Sequence, residues 1–105
     1  GTALQAGLNP VILIINNASY GTIRMHQERE YPTRVSGTAI VNPDYMAIAA
    51  AYGFHGERVT QTGQFADAYS RACASATGAI VEIVTSTEAI SPRTTITALR
   101  AAAGK

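Results

Sequence analysis

The sequence has no tryptophan, two phenylalanines, one cysteine and one lysine. With Cys73 alone there is no internal disulfide, and His26 and His55 are isolated, so no Cys/His cluster suits zinc. Charge is scarce too: 14% of residues are charged, against roughly 25% in an ordinary soluble domain. Eight basic and seven acidic residues leave a net charge of +1, and the arginines are scattered instead of forming a stripe. That pattern argues against nucleic acid as a partner. No apolar run approaches the roughly 20 residues of a membrane-spanning helix, and no basic segment precedes an apolar core as in a secretion signal. The expectation is a soluble, cytoplasmic protein with neither nucleic acid nor membrane as a partner. In a chain that is 47% hydrophobic, so little charge leads to the expectation that something else covers much of its surface.

The 105 residues allow one small domain or a piece of a larger one. "GTALQAGLNP" has the pattern of a helix tail, a stop at Gly7 and a turn through Asn9-Pro10. This suggests that residues are missing upstream. "VILII", Val11 to Ile15, is a continuous apolar run, the pattern of a strand buried on both faces of a parallel sheet. A helix is predicted from about Ser19–Thr22 to Glu30, then a long loop through Pro32, Ser36 and Gly37. Asn42 is expected to cap the next helix, with Pro43 at its first position and Asp44 in its first turn. Tyr45, Ile48, Ala49 and Tyr52 form its apolar stripe, and Gly53 ends it.

A short strand follows near Glu57–Val59. Thr62 is the expected cap of a further helix whose buried face is Phe65, Ala68, Tyr69, Ala72 and Cys73. On that face Cys73 is expected to be a buried small hydrophobe and not a nucleophile. Gly78 is expected to stop this helix before a strand in "AIVEIVTS", Ala79 to Ser86. Residues 87–105 then form an extended segment leading to a short helix or a frayed tail. The order of elements predicts an α/β fold: a partial doubly wound, mostly parallel sheet with flanking helices. Three strands amount to about half of such a domain.

Ligands of open α/β sheets bind beyond the carboxyl ends of the strands, where Asn16-Asn17 stands. Asn17 offers a side-chain oxygen and Ser19 a main-chain carbonyl, two residues apart, a donor set that suits Mg²⁺ shared with a diphosphate. The turn through Tyr20-Gly21 precedes a helix N-terminus, a natural place for phosphate. By spacing alone the signal is weak, and an ordinary strand-ending turn is the favoured reading.

"VILIINNASYGTIRMHQ" resembles the second half of the cofactor motif of thiamine diphosphate-dependent enzymes, the group of acetolactate synthase, benzoylformate decarboxylase and pyruvate decarboxylase. "NPDYMAIAAAYGFHGERV" and "AIVEIVTSTEAISPRTT" resemble the elements that follow it in that family. The resemblance implies that residues 1–105 are the C-terminal part of a thiamine diphosphate-binding domain. It further implies that Asn17 and the Ser19 carbonyl ligate Mg²⁺, and that Tyr20 and Gly21 lie beside the diphosphate. Thr22, Ile23 and His26 match positions facing the substrate pocket. Ile23 stands where pyruvate decarboxylases carry a catalytic glutamate, and His26 stands where acetolactate synthases carry a tryptophan. His26 is open to two readings: an acid/base in that pocket, since histidine titrates nearest neutrality, or a surface side chain beside Arg24, Gln27 and Glu28. His55 is a weaker candidate of the same kind.

In that family a Gly-Asp-Gly lies roughly 25 residues before the Asn pair and supplies an Asp ligand to the metal. Only 15 residues precede Asn16 here. The implied parent acts on 2-oxo acids by decarboxylation or carboligation, as a homo-oligomer (dimer or tetramer). This chain, without the N-terminal part of that parent, is expected to be inactive alone. The competing readings are a small non-enzymatic α/β module and a partner-binding subunit that pairs through an exposed sheet edge.

Overall fold

In the computed structural model, residues 1–104 are described. The chain divides into two compact units, Gly1–Asn16 with Pro43–Val84, and Asn17–Asn42 with the chain from Thr85 onward.

The first unit is an α/β layer. A short helix α1 (Thr2–Gln5) leads to strand β1 (Val11–Asn16). After the inserted second unit come helix α2 (Tyr45–Ala51), strand β2 (His55–Val59), helix α3 (Phe65–Cys73) and strand β3 (Ala79–Val84). All strand pairings in this sheet are parallel and its order is β1-β3-β2. Val11 lies opposite Ala79 and Asn16 opposite Val84, while His55 and Ala79 begin the other pairing. The central strand, "AIVEIV", is almost entirely apolar. Ala79, Ile80 and Val81 are buried, and Ala79 and Val81 form a core with Val59, Ala68 and Ala72.

Burial on both faces, expected of Val11–Ile15, is instead found at β3. Strand β1 lies at the edge of the three-stranded sheet, and Ile12, Leu13 and Ile15 are exposed, Ile15 to 64%. A continuous apolar run marks a strand meant to be covered, and this unit alone does not cover it.

Five local expectations are corrected. Helix α2 is capped by Asp44, not Asn42: the Asp44 carboxylate accepts the Met46 and Ala47 N–H groups at 2.9 and 3.2 Å. Pro43 therefore stays outside the helix. Ahead of α3, a 3₁₀ turn at Thr62–Gln64 takes the place of a Thr62 cap, with Gln64 Oε1 accepting the Thr60 and Gln61 N–H groups. Cys73 is exposed, because the buried line of α3 runs through Ala68 and Ala72 and one further residue turns about 100° away from it. Tyr69 is exposed too, stacking on Phe65 at 5.7 Å. Gly78 does not stop the helix, which ends at Cys73. It enters β3 at φ 96°, and a Cβ there would meet the Phe54 ring at 3.0 Å.

The second unit is built on helix α4 (Gly21–Glu30), an antiparallel hairpin of β4 (Ala89–Ser91) and β5 (Thr94–Thr95), and helix α5 (Ile96–Ala103). Residues 87–104 thus hold a hairpin and a helix. Ile96 is fully buried, and the Thr95 hydroxyl caps α5 by accepting the Ala98 N–H at 3.1 Å. The Glu28 carboxylate on α4 is also fully buried. Arg100 of α5 grips it with Nε and Nη2 at 2.8 and 2.6 Å, and the Thr33 N–H adds a bond at 3.0 Å.

The Arg100 hydrogen bonds do most to hold the Glu28 carboxyl at about 2, below its ordinary 4.5; burial opposes them, and Thr33 and the Arg100 and Arg24 charges assist. The folded-state value is depressed, so this carboxylate stabilises the fold above pH 4.5 and loses that contribution as pH falls towards 2. In acid titrations of stability, Glu28→Gln is expected to flatten the loss across that window. Arg100→Ala leaves the buried carboxylate with the Thr33 N–H and the Arg24 guanidinium at 3.9 Å in place of its bidentate partner, and is expected to cost about 3 kcal/mol at neutral pH, measured by urea denaturation.

Candidate functional site

Strand β1 ends in two asparagines with different partners. Within the first unit, Asn16 Nδ2 donates to Glu82 Oε1 at 2.6 Å, and Arg58 Nε donates to Glu82 Oε2 at 2.6 Å. Glu82 is buried on the central strand. Burial pushes its carboxyl up, and the Arg58 and Asn16 hydrogen bonds more than offset this and hold it below the ordinary range.

Asn17 opens the second unit with a side-chain turn: its Oδ1 accepts the Ser19 N–H at 3.0 Å. Between them Ala18 takes a left-handed φ of 51°, which costs an L-residue roughly 1–2 kcal/mol. The strained turn is held from one side. Ile40 N–H donates to the Ala18 carbonyl at 2.9 Å, while the Tyr20 N–H and Ser19 Oγ both donate to the Thr38 carbonyl, at 2.8 and 3.0 Å. Ser19 is consequently buried and Tyr20 exposed.

Helix α4 starts directly after this turn with no side-chain cap and no acidic residue in its first turn. Its leading N–H groups and the positive end of its dipole are left for an anion. Gly21 allows a close approach here: a Cβ would lie 2.9 Å from Asn17 Nδ2. Asn17, Gly21 and Thr22 line one cavity of about 330 Å³ together with Met25, Ala89 and Ile90.

Of the residues singled out from the sequence, the cavity thus gathers Asn17, Gly21 and Thr22. Ser19 sits buried in the turn, and Tyr20, Ile23 and His26 have exposed side chains. His55, in the first unit, is hydrogen-bonded to Glu57 at 2.7 Å, and Glu57 also takes a bidentate contact from Arg71. Sequence reasoning missed Met25, Ala89 and Ile90. Met25 was readable as the residue one helical turn after Gly21, whereas nothing local in "EAIS" announces a cavity wall.

The donor types suit a magnesium-bound diphosphate: a carboxamide oxygen with a second lone pair, a main-chain carbonyl two residues on, an uncapped helix start and a glycine packed against Asn17. Among the described residues no cluster of three or more His, Cys, Asp or Glu side chains forms an alternative metal site.

Residues 1–83 match the family described as thiamine pyrophosphate enzyme, C-terminal TPP binding domain. The chain belongs to this family. Among similar proteins, the acetolactate synthase isozyme 2 large subunit of Escherichia coli is 32% identical over 65 residues, covering 61% of this chain and 12% of that protein. The mitochondrial acetolactate synthase catalytic subunit of Saccharomyces cerevisiae is 41% identical over 58 residues, 55% of this chain and 8% of that protein. The acetolactate synthase large subunit of Parasynechococcus marenigrum is 36% identical over 62 residues, 57% of this chain and 10% of that protein. The chain therefore spans only a small part of the relatives it matches. Membership of the thiamine pyrophosphate enzyme family does not favour a non-enzymatic module. No helix among the described residues is long and apolar enough to cross a membrane.

Gly21→Ala tests the close approach. The new Cβ should displace the Asn17 carboxamide and weaken its bond to the Ser19 amide, seen as faster hydrogen exchange at Ser19. Overall stability should hold or rise by about 0.4–1 kcal/mol, because alanine restricts the unfolded chain more than glycine.

Proposed function

We propose that this chain is part of a thiamine diphosphate- and Mg²⁺-dependent enzyme that decarboxylates or carboligates 2-oxo acids in the manner of acetolactate synthase. The observation that carries the proposal is the Asn17 turn set against Gly21 at an uncapped helix start, inside the segment matched by the family. Asn17 Oδ1 and the Ser19 carbonyl would hold Mg²⁺. The main chain at Tyr20 and Gly21, at the head of α4, would receive the diphosphate. When bound, thiamine diphosphate supplies the carbanion chemistry.

The work of the chain's own residues is binding and orientation. The Thr38 and Ile40 bonds fix the turn, so the two oxygen donors are presented without reorganisation on binding. Thr22 offers a hydroxyl to the cavity, and Ile23 and His26 on α4 are the candidates for contact with substrate. Ile23 has no proton to give, so an acid/base role on this helix would fall to His26.

The reading includes an N-terminal part that supplies the remaining metal ligand, a homo-oligomeric parent and a cytoplasmic setting. The isolated chain, with half of the metal site, should be inactive. Two measurements test the proposal. An apolar strand followed by Gly-Asp-Gly is expected in the reading frame roughly 25 residues before Asn16, where the second half of the oxygen donor set belongs; unrelated sequence there would overturn it. In the complete enzyme, Asn17→Ala should lower Mg²⁺-dependent thiamine diphosphate affinity by at least about tenfold, or about 1.4 kcal/mol, and unchanged affinity would remove Asn17 from the site.

A further inference from the structure

The Ser19 carbonyl is not free to choose its direction. It shares a planar trans peptide with the Tyr20 N–H, so the two groups point opposite ways. The Tyr20 N–H donates to the Thr38 carbonyl at 2.8 Å, and the Ile40 N–H donates to the Ala18 carbonyl at 2.9 Å. These two bonds pair Ser19 with Ala39 in an antiparallel bridge. The Ser19 carbonyl is thereby turned away from residues 38–40. Where that returning segment runs decides where the carbonyl points.

The approach to the bridge is exposed at Val35, Ser36 and Gly37, and the chain first becomes buried at Thr38. Gln27, half-buried on helix α4, holds it there. Gln27 Nε2 donates to the Ser36 carbonyl at 2.8 Å, and Oε1 accepts the Ser36 N–H and the Thr38 hydroxyl, each at 3.4 Å. The first bond is the strong one, and the other two are long. One carboxamide thus takes both main-chain groups of Ser36, as a neighbouring strand would. The contacts run in sequence from Gln27 to Ser36, along the chain to Thr38, and across to Ser19 and Tyr20. All of these residues belong to the second unit.

We infer that Gln27 is a positioning residue for the metal donors. By tying Ser36 to α4 it sets the line of residues 36–40, and through the Thr38 carbonyl it aims the Ser19 carbonyl. The inference rests on the function proposed above, in which that carbonyl is a donor to Mg²⁺, and adds a residue that acts only through others. A consequence for ion choice follows. Mg²⁺ demands near-octahedral oxygens at about 2.0–2.1 Å, whereas Ca²⁺ accepts them at about 2.3–2.6 Å in flexible geometry. A carbonyl that can swing is a poorer donor to Mg²⁺ than to Ca²⁺, so Gln27 favours the smaller ion.

Gln27→Met keeps the length of the side chain and removes all three hydrogen bonds. In the complete enzyme, thiamine diphosphate binding is titrated by calorimetry with Mg²⁺ and with Ca²⁺, the latter directly or in competition with Mg²⁺. The variant is expected to need about tenfold more Mg²⁺, the low end of the loss when a group supporting a metal ligand is removed. Its Ca²⁺ requirement should rise less. Without metal or cofactor, hydrogen exchange at the Tyr20 and Ile40 amides should quicken.

An unchanged Mg²⁺ requirement would overturn the inference. So would an equal rise for the two ions, which would reduce Gln27 to a general brace of the loop. Should Gln27→Met not fold, Gln27→Glu, which loses the donor to the Ser36 carbonyl, is judged by the same two criteria. An unsubstituted enzyme that binds thiamine diphosphate without a divalent ion would overturn the proposed function itself, and that result is visible before any variant is made.

Discussion

A carboxylate sealed from water must be protonated or matched by donors, and Glu28 is matched. Arg100 reaches it from α5 with two guanidinium nitrogens, and Thr33, itself left-handed at φ 65°, turns its N–H onto the same carboxylate. The second unit depends on this pairing. Helix α4 is mostly polar and brings little apolar area of its own, with Ile23 exposed and Glu28 its one buried residue. What fixes it against α5 is therefore an ion pair more than a hydrophobic stripe. Buried pairs of this kind add less net stability than they cost to break, because desolvation consumes most of the Coulombic gain. Their value here is geometric: α4 presents one wall of the cavity and the hairpin leading into α5 presents the other.

The adjacent asparagines show the same economy of polar groups. Asn16 satisfies Glu82, a carboxylate buried on the central strand where an apolar residue would ordinarily stand, and Arg58 takes its other oxygen. Asn17 turns its carboxamide to the following backbone and stabilises a left-handed alanine. Of the two side chains, Asn16 is thus committed to the sheet. Asn17 retains a lone pair on an oxygen already oriented by its own turn.

Much of this was legible beforehand, and the exceptions have physical causes. The parallel α/β class followed from apolar runs alternating with amphipathic stretches, and the strand-end position of the Asn pair followed from where "VILII" stops. Helix starts were less legible, because Asn42 and Asp44 both favour a cap. The choice went to the side chain whose carboxylate reaches two N–H groups at once. Cys73 was misplaced by a single residue on a nine-residue helix, where one step is enough to leave the buried face. The Glu28–Arg100 pair was invisible because its members are 72 positions apart. Local pattern carries no information about such a contact.

Strand β1 states most clearly what this chain is prepared for. Its residues Ile12, Leu13 and Ile15 are as apolar as those of the central strand, yet they are exposed at the edge of the three-stranded sheet. Isolated edge strands normally carry charge or proline to discourage pairing with other chains. This one carries neither between Val11 and Ile15. A sequence selected to function with that edge bare would be expected to protect it. One selected to place the edge beside a further strand would keep it apolar, as here, and would need little surface charge elsewhere. In the proposed enzyme other protein would cover this surface, and both the low charge of the whole chain and the composition of this strand are what that proposal would require.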